Sequence, residues 1–232
     1  MQTQQLIKRF DRALERARTG ACAGALQELE ELEIASEHPQ DIAALRFFQA
    51  TCLTDMGRAG EALKRISRVD KNKLEFSNQI DYEYEFSRIE RALGHTRDAL
   101  DHTETALKMV AVAGDKQAIS VVSRNLYAMR GILLAESDRC DEAIPILEAV
   151  PMDDEGWVEA KLRLGDCQIK KRQFREAVES YSVVISGEQK ADPIDRKTAI
   201  RISDVRTSTL ENTRRLLNTL RRSSMVMKKI PI

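Results

Sequence analysis

Proline is scarce in this chain, with five residues at 39, 145, 151, 193 and 231. A chain so poor in helix breakers is free to form long helices. Pro39, Pro151 and Pro193 are expected between or before helices, and Pro145 in the tolerant first turn of its own. No stretch alternates apolar and polar residues long enough to demand a strand. No run reaches the ~18 apolar residues of a membrane span. The first residues, MQTQQLIKRFDRALERA, are amphipathic and lack the apolar centre of a signal peptide, so a cytoplasmic location is expected. Nucleotide-binding loops of the GxxxxGK[ST] or GxGxxG type are missing. The three histidines, His38, His95 and His102, have no partner set in the sequence for a metal or catalytic role. They read as surface residues, and no cofactor, metal or enzymatic activity is expected.

What the chain does have is an internal period. Ala25, Ala62, Ala99, Ala143 and Ala177 sit in similar phrases (GALQEL, EALKRI, DALDHT, EAIPIL, EAVESY), separated by 37, 37, 44 and 34 residues. Twelve residues before each stands a small residue: Ala13, Ala50, Ser87, Gly131, Gly165. Four residues after each come Leu29, Ile66, Thr103, Leu147 and Tyr181, with Thr103 the weak member. Seven after come Leu32, Val69, Ala106, Val150 and Val184. Small residues at fixed spacing let two helices approach closely, and the bulkier residue fills the groove beside the contact. Periods of this length mark stacked helix pairs.

The last copy, KLRLGDCQIKKRQFREAVESYSVVI, resembles the tetratricopeptide repeat (TPR). Leu164-Gly165, Gln168, Phe174, Ala177 and Tyr181 stand where that family has Leu-Gly, Tyr, the turn aromatic, Ala and Phe. The fourth copy offers Tyr127, Gly131, Leu134, Ala143 and Leu147. The first three copies lack Leu-Gly but carry a glycine five residues before the alanine: Gly20, Gly57 and Gly94. The resemblance covers roughly residues 5–188. It implies an all-α, right-handed helix-turn-helix solenoid of about five pairs over 1–190. The pairs are read at 3–18/21–35, 39–56/59–69, 76–93/96–111, 115–136/140–149 and 154–171/174–187. A capping helix and a basic tail follow over 191–232. The long third gap predicts a longer helix after Gly114-Asp115.

In such stacks the first helices line the concave face. The frame assigns to it Phe10 and Leu14; Phe47, Thr51 and Thr54; Tyr84, Arg88 and Arg91; Ala128, Ile132 and Ala135; Leu162, Asp166 and Ile169. An apolar groove with a basic spot accepts an amphipathic helix, an extended peptide or an anionic group. Co-chaperones of the family clamp a C-terminal carboxylate with Lys and Asn. The matching places here hold Phe10 and Leu14, Phe47 and Thr51, or Tyr84 and Arg88, so that clamp is not expected.

Net charge is zero but uneven. Residues 191–232 hold ten basic and four acidic residues, so the rest of the chain carries the opposite excess. Arg214, Arg215, Arg221 and Arg222 flank Leu216, Leu217 and Leu220. This segment is the alternative binding element, for an anionic partner (nucleic acid, a membrane surface or an acidic protein) or a second copy of the chain. Without interleaved aromatics, nucleic acid is disfavoured. The expected role is a non-catalytic module, an adaptor or chaperone-like binder, that holds a protein or peptide partner. The glutamates at 28, 30, 31 and 33 read as a solvated helix face. Cys22 and Cys140 share one repeat position, and Cys52 and Cys167 share another. Pairing within either set is not expected, because equivalent positions lie a repeat apart. Four small buried thiols in a reducing compartment are the expectation.

Overall fold

A computed structural model describes residues 2–19, 21–113, 118–154 and 156–188. Among these residues the chain forms ten α-helices and no strand. They are α1 (Gln2–Arg18), α2 (Cys22–Ala35), α3 (Pro39–Asp55), α4 (Ala59–Ile66), α5 (Phe76–Ala92), α6 (Thr96–Val112), α7 (Ala118–Glu136), α8 (Cys140–Glu148), α9 (Trp157–Lys170) and α10 (Phe174–Glu188). A single 3₁₀ turn, Lys71–Lys73, joins α4 to α5. The ten helices expected in the five pairs are all present. The helix after the long gap is the longest described, at 19 residues. The chain forms two compact units, Met1–Leu126 and Tyr127–Ile232. The expected boundary at 190/191 and the C-terminal segment beyond it lie outside the described residues.

The repeat frame is the packing frame. Ala25, Ala62, Ala99, Ala143 and Ala177 are all completely buried. So are Ala13, Ala50 and Ser87, the small residues of the first three copies. In the second unit that position holds glycine. A Cβ at Gly131 would stand 2.8 Å from Leu147 Cδ2, and one at Gly165 only 2.6 Å from the Tyr181 ring. Those contacts are shorter than side chains tolerate, so the glycines are set by how closely the paired helices approach. In the third copy Ser87 and Thr103 meet instead as a buried hydroxyl pair, 2.7 Å apart.

The turn inside each pair is also repeated. Gly57 and Gly94 have φ of 74° and 83°, and the equivalent Asp138 and Arg172 both have φ of 62°. In each turn the next N–H reaches back five residues. Arg58 N donates to Leu53 O (2.8 Å), His95 N to Glu90 O (2.9 Å), Arg139 N to Leu134 O (2.9 Å) and Gln173 N to Gln168 O (2.8 Å). This is the Schellman closure, which needs a left-handed residue to end the helix. Asp138 and Arg172 adopt that conformation at a cost glycine avoids. Pro145 differs from expectation. Because α8 begins at Cys140, Pro145 is its sixth residue, past the first turn, and removes the bond to the Asp141 carbonyl.

In the first unit, one core joins α1, α2 and α3 through Ala13, Ala17, Leu29, Leu32 and Leu45. A second joins α3, α4 and α5 through Phe47, Leu53, Ile66, Leu74 and Ile89. First helices therefore pack on their own partners and on the second helix of the preceding pair. In the second unit, Tyr181 and Ala177 of α10 pack against Leu162 and Ile169 of α9.

Candidate functional site

The first helices α1, α3 and α5 of the first unit touch one another in sequence, α1 with α3 and α3 with α5. Phe10 and Leu14 are half-buried against the first core. Thr51 and Thr54 are half-buried, and their hydroxyls return to the Phe47 and Ala50 carbonyls at 3.2 and 3.0 Å. Both hydroxyls are thus engaged within the chain. Tyr84 packs beside Ile80. Phe47 is buried, at 6 % exposure, inside the second core. It stands one turn before Ala50 and so shares its inward face.

Arg88 is held by the chain itself. Its Nη2 donates to Asp55 Oδ1 at 2.7 Å and its Nη1 to Glu85 Oε2 at 2.9 Å. Burial pushes the Glu85 carboxyl up, opposed mainly by the Arg88 charge. Its Oε1 has no hydrogen-bond partner among the described residues. Burial also raises the neighbouring Asp81, with the Glu85 charge adding to it. Arg91 is engaged as well. Arg88 is therefore part of a closed polar network rather than an open anion receptor, and no spacing in the sequence revealed its acidic partners.

A second network lies between α5 and α6. His102 Nδ1 donates to Glu83 Oε2 at 2.6 Å, and Lys71 Nζ donates to Glu83 Oε1 at 2.5 Å. The His102 ring stacks on Phe86 at 4.4 Å between centroids. Burial raises the Glu83 carboxyl, but the hydrogen bonds from His102 and Lys71 outweigh it and hold the group below its ordinary 4.5. His102 is thus a structural partner rather than the surface histidine expected. The glutamates of α2 are likewise not merely solvated. Glu31 pairs with Arg9, Glu30 with Arg65 and Glu33 with Arg46, each at 2.7 Å across helices.

Glu90, His95 and Asp98 cluster closely enough to suggest a metal site. Their place in the repeat gives a simpler account. His95 and Asp98 stand where the ion pairs Arg58–Glu61 and Arg139–Glu142 close the other turns, each at 2.7 Å. His95 Nδ1 is already bonded to Glu90 Oε2 at 2.6 Å.

In the second unit an open cleft of about 460 Å³ runs between the first helices α7 and α9. It is lined by Ala135 and Glu136 from α7, and by Arg163, Asp166, Cys167, Ile169 and Lys170 from α9. Ala135, Asp166 and Ile169 are concave positions of the repeat frame. Arg163 bridges the cleft, 3.1 Å from Glu136 and 3.6 Å from Asp166, and its buried Nε has no hydrogen-bond partner among the described residues. Asp166 also accepts from the Tyr181 hydroxyl at 2.7 Å. Burial and that bond push the Tyr181 phenol well above its ordinary value. Leu162 is half-buried on α9, while Ile132 and Ala128 are buried at 3 % and 2 %. The basic residues Arg214, Arg215, Arg221 and Arg222 lie outside the described residues.

This arrangement of helix pairs has counterparts among solved structures. A Podosopora anserina protein of kinesin-light-chain type with nearly identical TPR-like repeats superposes with a TM-score of 0.59. It is 17 % identical, over 82 % of this chain and 98 % of that one. A point variant of that protein gives 0.60, at 17 % identity over 80 % and 95 %. The fold is of the TPR type. Yeast Sti1, solved as its TPR2AB domain with pHSP90, gives a TM-score of 0.40 at 10 % identity, over 89 % and 99 %. No family model matches the sequence, and no curated protein matches it.

The cysteines correct the expectation of four free thiols. Cys140, first residue of α8, is bonded to Cys167 of α9. The sequence compared equivalent cysteines with one another. The TPR stack instead brings a second helix against the first helix of the next pair, which joins one member of each set. Cys22 and Cys52 are free and buried. Among the described residues no helix is long and apolar enough to cross a membrane.

Proposed function

We propose that this TPR-type protein is a non-catalytic interaction module that holds a peptide or helix of a protein partner along its first helices. The observation that carries the reading is the α7–α9 cleft, with an apolar floor at Ala135 and Ile169 and a charged rim of Glu136, Arg163, Asp166 and Lys170. A ligand there would bury an apolar side chain and exchange charges with the rim. In the first unit the half-buried Phe10, Leu14, Thr51 and Tyr84 present the same kind of face, with Arg88 fixing it from within. An adaptor or chaperone-like role is the corresponding biology. A cytoplasmic location belongs to the same reading. There the Cys140–Cys167 pair would be held as a dithiol and would close on oxidation.

The test is selection of peptides from a random displayed library on the purified chain, followed by anisotropy titration of the selected peptides. Arg163→Glu and Ile169→Ala should weaken binding about tenfold or more while helical circular dichroism is kept. Unchanged affinity in both variants would remove the cleft from consideration. The alternative, an anionic partner or a second copy of the chain held by the basic segment at 191–232, rests on charge alone. It predicts that binding is lost on deleting 206–232 and weakens with salt.

A further inference from the structure

The free pair of cysteines has the same address as the bonded one. Cys22 is the first residue of α2, as Cys140 is of α8, and each lies three residues before its repeat alanine. Cys52 lies on α3 as Cys167 lies on α9, two residues after the repeat's small residue. α2 packs on α3 and α8 packs on α9, each a second helix against the first helix of the following pair. Cys140 and Cys167 have their Cα atoms 5.2 Å apart, inside the range that a disulfide spans without moving the backbone. Cys22 and Cys52 belong to one buried cluster. The two thiols are within hydrogen-bonding reach of each other. The Cys22 sulfur also points at the Ala17 carbonyl (3.9 Å) and at Asp55 Oδ2 (3.8 Å).

We infer that Cys22 and Cys52 are a second dithiol that closes to a disulfide on oxidation, the repeat counterpart of Cys140–Cys167, joining α2 covalently to α3. The oxidant is a small-molecule disulfide such as oxidised glutathione. Cys22 starts the exchange, because as the first residue of α2 it is reached by opening a single helical turn. Its thiol loses a proton, and the thiolate attacks one glutathione sulfur, releasing one glutathione thiolate. Cys52 then loses its proton and attacks the Cys22 sulfur of the mixed disulfide, releasing the second. The protein gives up two electrons and two protons, and one oxidised glutathione becomes two reduced ones. Burial, the neighbouring Cys22 thiol and the charges of Asp55 and Glu85 all push the Cys52 thiol up. Closure is therefore slow, and faster at alkaline pH. Closing the bond fixes α3, which carries Thr51, Thr54 and Asp55, to the preceding pair.

The experiment uses the full chain, fully reduced, then equilibrated with oxidised glutathione, denatured, alkylated and mapped by mass spectrometry. The expected result is Cys22 linked to Cys52 and Cys140 linked to Cys167, with no alkylated cysteine. A Cys140→Ser, Cys167→Ser variant isolates the first pair. It should still form Cys22–Cys52, and its urea midpoint should rise on oxidation, a rise that Cys22→Ser abolishes. Alkylated Cys22 and Cys52 beside an intact Cys140–Cys167 bond would overturn the inference. So would Cys22 left as a glutathione adduct, or any cross-link that joins the two sets differently.

Discussion

Ser87 and Thr103 face each other across α5 and α6 with their hydroxyl oxygens 2.7 Å apart, both fully buried. Thr103 donates its own proton to the Ala99 carbonyl at 2.9 Å, so Ser87 is the donor in the pair. The third copy thus replaces the apolar contact of the other repeats by a satisfied polar one. Thr103→Val strands a buried donor and should cost about 1–3 kcal/mol, and Ser87→Ala about 1 kcal/mol. The double variant should lose less than the two together, because it removes both polar groups. Urea unfolding of the four proteins measures this coupling.

The left-handed turn residues give an opposite pair of effects. Arg172 is exposed and has φ of 62°, where glycine serves two of the equivalent turns. Arg172→Gly should stabilise the chain by about 0.5–1 kcal/mol, and Gly57→Ala should destabilise it by about 1–2 kcal/mol. Thermal unfolding followed by circular dichroism distinguishes them. A loss of stability in Arg172→Gly would show that its side chain matters more than its backbone.

Gly165 is fixed by the ring above it. A Cβ there would stand 2.6 Å from Tyr181, whose hydroxyl is tied to Asp166 at 2.7 Å and cannot easily give way. Gly165→Ala should therefore cost about 1–3 kcal/mol despite the better helix propensity of alanine. Tyr181→Leu in the same chain should recover part of that loss, as measured by chemical denaturation.

The repeat frame was legible in the sequence because close helix contacts demand small residues, and those recur at fixed distances. The turns were half legible. Gly57 and Gly94 announce the left-handed position, but Asp138 and Arg172 fill it with residues that give no such signal. The site was less legible. Counting along a helix assigned Phe47 and Ile132 to the open face, whereas both are buried, because a helix count does not register which faces the next pair covers. The acids around Arg88 were invisible for the same reason. Asp55 lies 33 residues away in sequence and meets it only when α3 packs on α5.

Glu83 sets an acid limb to stability. Its carboxyl is lowered in the folded chain by His102 and Lys71, against burial. The unfolded chain therefore binds the proton more readily. The stabilisation is fully present above the unfolded value of about 4.5 and is lost as pH falls through the folded one. Glu83→Gln should be less stable than the parent at neutral pH. That difference should shrink as the pH is lowered from neutral to well below about 4.5 in urea titrations. A constant difference over this range would mean that the carboxylate's charge contributes nothing.

The central claim is that a partner lies along the first helices. Hydrogen exchange of the chain with and without a library-selected peptide tests it directly. The account predicts that added protection falls on α7 and α9 around Ala135, Arg163 and Ile169. Protection confined to the second helices α8 and α10, or to residues 191–232, would contradict it.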